Sequence, residues 1–574
     1  MNNLKQNFSL LDRVDKKKLY FIIFLGLFGT IFEILGIGLI VPFVIIITDI
    51  NVIENNIYIQ EFSKFLNIET RKELIQISIL ILLIIYVVKL IFLSYLSWIK
   101  QSFSYNLQAK ISTKIFRIFL NQPYLYFSKL NSSRLIQETR DEPAVYCSGM
   151  IIGTIDMLSE LLIIIGICIL LLSYNFIPSV IIFSIILCII ILYRSLTRRS
   201  ALVWGKQKKY FESLTYNILK YVYNSIIEVK INNKEKIVTE KYSKYIFSAN
   251  QNVIKQMFMT DVPRLYLEFI AVFLFLMFIF FAFIFYSSFN DFLPAIALFA
   301  VSAFKILPSI NRVIVGIQKI NFSRNSVNVI NGLLKLENNN TSYDLSNGPI
   351  KFNNKIEIKN VSFRYLTEKK IIQNLNLDIK FGDIVGIKGI SGTGKTTLVN
   401  LILGLLNPDE GQILVDGKNL KENRKAWQKL VSYAPQRTYI LDDTVKKNIC
   451  FEENEDQINN EHLENVLKLS SIDKFVENLD KKLDTNIGEN GSQLSGGQIQ
   501  RIGFARAIYK NPNFIVLDEI TSSLDSINEE IILDSIKTLS QKMTVLIISH
   551  RENTLKICNK VFELNNGNLN EIKR

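Results

Sequence analysis

Apolar positions run almost unbroken through several stretches of residues 1 to about 330, then shrink to short segments between polar turns. The first stretch, about 19–48, carries Glu33 as its only charge, and the second, about 74–99, carries only Lys89. Residues 161–193 hold no charge. As one helix they would reach about 50 Å, well past the roughly 30 Å of a hydrocarbon core. Pro178, within "SYNFIPS", divides them into spans three and four. Spans five and six, about 265–288 and 292–316, turn near "SSFNDFLP". The pattern predicts an α-helical membrane domain of six spans. Its first run is too long for a signal-peptide core, so it is expected to remain as a span.

Between the spans, residues 100–147 and 194–262 mix charge with apolar positions at helical spacing, which predicts long extensions beyond the membrane. "RSLTRRSALVWGKQKK" is strongly basic, as is the amino terminus with Arg13, Lys16, Lys17 and Lys18. Both therefore belong on the cytoplasmic side, and the membrane is expected to be a bacterial inner membrane. The segment 49–73 then lies outside, and "YIQEFSKFL" within it predicts a short amphipathic helix on the outer surface. From about 350 the period changes to strand, loop and helix. The polar run "ENNNTSYDLSNGP" at 337–349 marks the junction. The expected organisation is a membrane domain at 1–332, a linker at 333–350 and an α/β domain at 351–574, without internal repeats.

Composition agrees with this division. Hydrophobic residues make up 49% of the 574. The mean hydropathy is +0.23. The net charge is +14. With such hydropathy the basic excess fits cytoplasmic loops, and no nucleic-acid partner is expected. Cys147, Cys168, Cys188, Cys450 and Cys558 form no CxxC pair and read as packing residues. His462 and His550 are the only histidines, too few for a His-rich zinc site.

The second half carries the chemistry. "DIVGIKGISGTGKTTLVNLILGLL" reads strand, glycine loop, helix, and residues 389–396 fit G-x-x-x-x-G-K-[ST]. Such a loop wraps backbone N–H groups round phosphate oxygens and aims the helix dipole at them. Lys395 is expected on the β/γ-phosphates and Thr396 on Mg²⁺. "NFIVLDE", 513–519, is an apolar strand ending in two acids. Asp518 is expected to hold Mg²⁺, and Glu519 to polarise the attacking water.

"LSGGQ", 494–498, lies between those motifs and resembles the signature of ATP-binding cassette (ABC) proteins. "VSFRY", "SYAPQ", "SSLD" and "IISH" follow the family order around it, and "NIGENG" with Glu489 resembles the exporter X-loop. The resemblance implies a P-loop nucleotide-binding domain with a helical subdomain. It implies ATP contacts from Tyr365, from Gly389, Ser391, Gly392, Thr393, Gly394, Lys395, Thr396 and Thr397, and from Asp525. It implies Ser495, Gly496, Gly497 and Gln498 on the ATP of an opposite subunit. Gln436 would sense Mg²⁺, and His550 would contact the γ-phosphate. One chain has one phosphate loop and one signature loop. Two closed sites therefore need two chains, which points to a homodimer holding two ATPs. Six spans before one cassette resemble an exporter-like half-transporter. "NQPYLYFSKLNSSRLI" and "YVYNSIIEVKINNKEK" then resemble its coupling regions.

Lys89, Arg264, Lys305 and Arg312 lie in or at the apolar runs. Lys305 and Arg312 are two turns apart and share a helix face. A base at the bilayer centre costs about 2.5–3.5 kcal/mol or more on insertion scales. It therefore faces a wet cavity or a partner such as Glu33, Glu160 or Glu268. The first choice predicts a cationic cavity for an anionic cargo. "VPRLYLE", "LPSINR" and the placing of Lys89 and Lys305 are similar to the PglK-type flippases of lipid-linked oligosaccharides. That resemblance implies a polyprenyl-pyrophosphate-linked glycan as cargo. The alternatives are a broader exporter of lipids, drugs or peptides, an ATP-gated channel or regulator, and a tethered ATPase.

Overall fold

The computed structural model describes residues 10–48, 57–65, 70–128, 130–174, 203–208, 210–285, 289–339, 350–365, 370–451, 456, 458–488 and 491–572, with positions 180 and 184. Span four, Pro178, most of the basic run after it and Glu489 lie outside these residues, as does most of the polar run 337–349. The chain divides into two compact units. One holds residues 1–121 and 130–338, and the other holds 122–129 and 339–574.

The first unit is helical. Its long helices are α1 (Arg13–Gly38), α2 (Arg71–Leu120), α3 (Ser132–Val145), α4 (Gly153–Tyr174), α5 (Glu235–Phe285) and α6 (Phe289–Asn339). Thr70 opens α2 by accepting the N–H of Glu73, and Glu73 places an acid in the positive first turn. The helix then runs 50 residues, about 75 Å, well beyond any bilayer core. This is the extension expected from residues 100–147. Its most apolar window is not buried at all within the chain. Leu80, Leu83, Leu90 and Ile91 are each at least 60% exposed. An apolar face of that extent belongs against lipid. Among the described residues, four helical stretches are long and apolar enough to cross a membrane: 13–47, 71–120, 132–173 and 300–337.

A turn of π-helix, Tyr146–Ile152, joins α3 to α4. There the backbone passes so close to α6 that a Cβ on Gly149 would sit 2.8 Å from Cβ of Ser323. The helix Ile57–Phe65 stands where the outer amphipathic helix was expected. It contributes Ile59 to a small core with Ile46 and Leu74. One boundary moves. α6 continues to Asn339, so residues 333–339 are helical and not linker.

The second unit has two sheets. The antiparallel sheet has the order β2–β1–β4–β5, from β1 (Lys355–Phe363), β2 (Ile372–Lys380), β4 (Glu410–Val415) and β5 (Lys418–Asn419). The other has the order β10–β9–β3–β8–β7–β6. It comprises β3 (Ile384–Lys388), β6 (Val431–Ala434), β7 (Phe514–Asp518), β8 (Thr544–Ile548), β9 (Lys560–Asn565) and the short β10 (Asn568–Glu571). All its pairings are parallel except β9 with β10. Both faces of β7 and β8 are covered, so every residue of both strands is buried. Alternation sorts them. Phe514, Val516, Leu546 and Ile548 join the core that holds Phe352 and Trp427. Ile515, Leu517, Val545 and Ile547 join the core built round Phe504 and Ile508. Each buried side chain of this size contributes about 1.5–3 kcal/mol relative to exposure. The one-turn helix Tyr124–Ser128 belongs to this unit, with Leu125 packed on the Phe352 core.

Candidate functional site

β3 feeds the glycine loop, and α7 (Lys395–Ile402) leaves it. A Cβ on Gly389 would lie 2.6 Å from the carbonyl oxygen of Leu564 on β9, so glycine is required there. Gly392 and Gly394 have φ of 85° and 105°, values that favour glycine. The Lys395 ammonium folds back on its own loop and donates to the carbonyls of Gly389 and Ile390. Burial lowers its pKa, while the charges of Glu519 and Asp518 act to raise it. The Thr393 hydroxyl donates to the carbonyl of Ile390 at 2.9 Å. Ser391 and Thr396 are exposed, and Thr397 is buried. The Thr397 hydroxyl lies 3.3 Å from that of Tyr365, whose ring stands edge-on to Phe363.

β7 ends at Asp518, which is buried. Burial raises its pKa. The hydroxyl of Tyr433, donated to Oδ2 at 3.1 Å, works against that rise. Glu519 follows with φ of 51°, in the left-handed region, and its N–H donates to the carbonyl of Ile548. A non-glycine residue held there stores about 1–3 kcal/mol of strain, a common feature of functional sites. Its carboxylate is the meeting point of the expected catalytic set. The Gln436 amide donates to Oε2 at 2.6 Å, and Nε2 of His550 lies 3.6 Å from Oε1. Residues 83 positions apart in one case thus converge on one acid.

Ser495 caps α8 (Gly496–Tyr509) in a reciprocal box. Its hydroxyl accepts the N–H of Gln498 at 3.2 Å, and the Gln498 side chain accepts the N–H of Ser495 at 2.7 Å. The N–H groups of Gly496 and Gly497 open the helix beside it, an arrangement suited to an anion. Asp525 occupies the N-cap position of α9 (Ser526–Ser540), where its carboxylate accepts the Asn528 side-chain amide at 2.6 Å. The side-chain hydrogen bond from Asn528 holds its carboxyl below the usual range. Sequence reading missed two residues here, Tyr433 and Gln500. Strand alternation before Gln436 was the available signal for Tyr433. Gln500 had none beyond its place after the signature.

In the helical unit the described members of the expected basic set meet acids that the sequence offers as partners. Lys89 on α2 and Lys305 on α6 both reach Glu33 on α1, at 2.8 and 2.6 Å. Arg312 pairs with Glu160 on α4 at 2.7 Å. Of the two outcomes open from the sequence, pairing is the one seen, with Glu33 and Glu160 as the partners. Desolvated acids from other helices hold these bases, because an unpaired buried charge is far more costly than a paired one. Two ammoniums share one carboxylate, so among the described residues the Glu33 cluster has one formal positive charge in excess. Arg312 remains about half exposed beyond its partner. Arg264 lies on α5 with its side chain outside the described residues.

Residues 372–522 match the family model described as ABC transporter. An ATP-dependent lipid A-core flippase of Francisella tularensis is 36% identical over 223 residues, 38% of this chain and 36% of that protein. A probable ABC transporter ATP-binding/permease protein of Haemophilus influenzae is 36% identical over 217 residues, 38% of this chain and 39% of that one. A putative multidrug export ATP-binding/permease protein of Staphylococcus aureus is 37% identical over 219 residues, 38% of each. The match thus spans little more than a third of these relatives' length. The structure of a bacterial Atm1-family ABC exporter with ATP bound superposes with a TM-score of 0.75 at 16% identity, covering 98% of this chain and 95% of that one. The fold is that of the Atm1-family ABC exporters: a helical region followed by a P-loop domain.

Proposed function

We propose that the chain is an ATP-hydrolysing half of a homodimeric membrane transporter, moving an anionic lipid-linked cargo. The observation that carries the hydrolytic part is the Glu519 carboxylate, met by Gln436 and His550 just past the end of β7. Glu519 would align and polarise water, and His550 and Lys395 would contact the γ-phosphate. Thr396, Asp518 and the Gln436 carbonyl would hold Mg²⁺, since all three offer the oxygen donors that ion takes. The ion, when bound, neutralises phosphate charge. Ser495, Gly496 and Gly497 would close the ATP of the second chain, so each chain completes its partner's site. The exporter fold supports six spans across a bacterial inner membrane, with the second unit in the cytoplasm.

The cargo reading rests on the Glu33 cluster and Arg312. One excess positive charge and one half-exposed guanidinium suit a phosphate-bearing head group, with a polyprenyl-pyrophosphate-linked glycan as the finer proposal. The lipid A-core flippases among the relatives support a lipid of some kind. The apolar, exposed flanks of α2 support access from the bilayer. Reconstitution in vesicles with fluorescent polyprenyl-pyrophosphate glycans tests it. ATP should drive the label across, and changing Lys305 and Arg312 together to Ala should stop movement while basal ATPase persists. Movement that survives the double change would overturn the head-group reading. Movement of multidrug substrates instead would favour the broader exporter.

A further inference from the structure

Gln500 stands on the second turn of α8, five residues past Ser495, and is only 7% exposed. Its amide makes three bonds to one short segment. Nε2 donates to the Ser522 hydroxyl at 2.8 Å and to the carbonyl oxygen of Glu519 at 3.3 Å. Oε1 accepts the N–H of Ser523 at 3.0 Å. A buried polar side chain this fully engaged is held in place by its hydrogen bonds. The same segment closes on itself, since Ser522 N–H also donates to the Glu519 carbonyl. It lies so close to α8 that a Cβ on Gly497 would sit 3.1 Å from the Ser523 oxygen. The left-handed backbone of Glu519 is thus gripped at its carbonyl from the signature helix and at its N–H from β8.

We infer that Gln500 is a positioning residue that locks the Glu519 backbone to the signature helix. The aim of the Glu519 carboxylate at one ATP and the placing of Ser495 for the ATP across the dimer then move as one body. The inference rests on the proposed role of Glu519 in hydrolysis. It adds a physical link between the two composite sites that runs inside each chain and needs no movement of the glycine loop.

The test uses the full chain in lipid vesicles with Gln500→Met, which keeps length and volume but removes all three bonds. kcat should fall about 10- to 100-fold, as expected of a displaced base, with the ATP KM held within about twofold. Without nucleotide, amide exchange in the peptide containing Ser523 should quicken. In a Glu519→Gln background the same change should cost no further single-turnover rate, because its target is already gone. Gln500→Glu, which keeps an acceptor for Ser523 but loses the donor to the Glu519 carbonyl, should not restore kcat. A multiplicative loss in the Glu519→Gln background would overturn the inference, as would unchanged exchange at Ser523 or a parallel loss of kcat, KM and Tm. If Glu519→Gln alone kept wild-type turnover, the proposed hydrolytic role would fail, and this link with it. That outcome is distinct from a failure at Gln500 alone.

Discussion

One charge cluster in each unit is built in the opposite way to the other. In the P-loop unit, the groups at the glycine loop and Glu519 gather round a place for something else. Lys395 borrows the carbonyls of its own loop, and Glu519 is shared by Gln436 and His550. In the helical unit the charges answer one another: Glu33 takes both Lys89 and Lys305, and Glu160 takes Arg312. Water and ligand can satisfy the first arrangement, whereas an apolar surround forces the second. The difference teaches that a base in an apolar helix announces an acid before it announces a cargo.

The sharpest way to break this comparison is Glu33→Ala, which strands two ammoniums. Removing one partner of a buried pair typically destabilises by about 3–5 kcal/mol, so thermal unfolding in detergent should drop steeply. A melting curve equal to the wild type would mean the pairing holds nothing. A smaller effect is expected from Gly389→Ala. Its Cβ has no room beside the Leu564 carbonyl. Overpacking of about 1–3 kcal/mol should loosen the loop and weaken ATP binding about tenfold or more by calorimetry. Unchanged affinity would show that the loop can shift freely.

The smallest effect sharpens the contrast from the other side. Burial raises the folded pKa of Asp518 above its ordinary value of 3.8, so the fold favours the protonated acid. The stability it contributes is present below that value and is lost as pH rises through the folded pKa. Asp518→Asn should therefore raise Tm of the nucleotide-free protein above the folded pKa of Asp518, and the gain should shrink as pH falls below 3.8. A fall in Tm at pH 7 would contradict the electrostatic reading.

The same contrast governs how much was legible in the sequence. Gly389 to Thr397, Ser495 to Gln498, Asp518, Glu519 and His550 each sit in short local patterns, because strand, loop and helix must follow one another to make a phosphate cradle. The meeting of Gln436 and His550 at Glu519 agrees with their order along the chain. The pairing of the membrane bases does not follow from such order, since Lys305 meets Glu33 across 272 positions and Arg312 meets Glu160 across 152. Helical periodicity puts Lys305 and Arg312 two turns apart on one helix, but it cannot say which helices pack there. Tyr433 and Gln500 were missed for a similar reason. Each acts on a backbone or carboxylate brought near only by the parallel sheet and the packing of α8.

The central claim is that Glu519, aimed by its neighbours, drives ATP hydrolysis in a protein that otherwise binds ATP normally. Phosphate release and ATP binding by the full chain in vesicles, wild type against Glu519→Gln, test it most directly. The account predicts turnover lower by about 10²- to 10⁴-fold with ATP affinity preserved. Turnover within a few-fold of wild type, or loss of binding together with turnover, would contradict it.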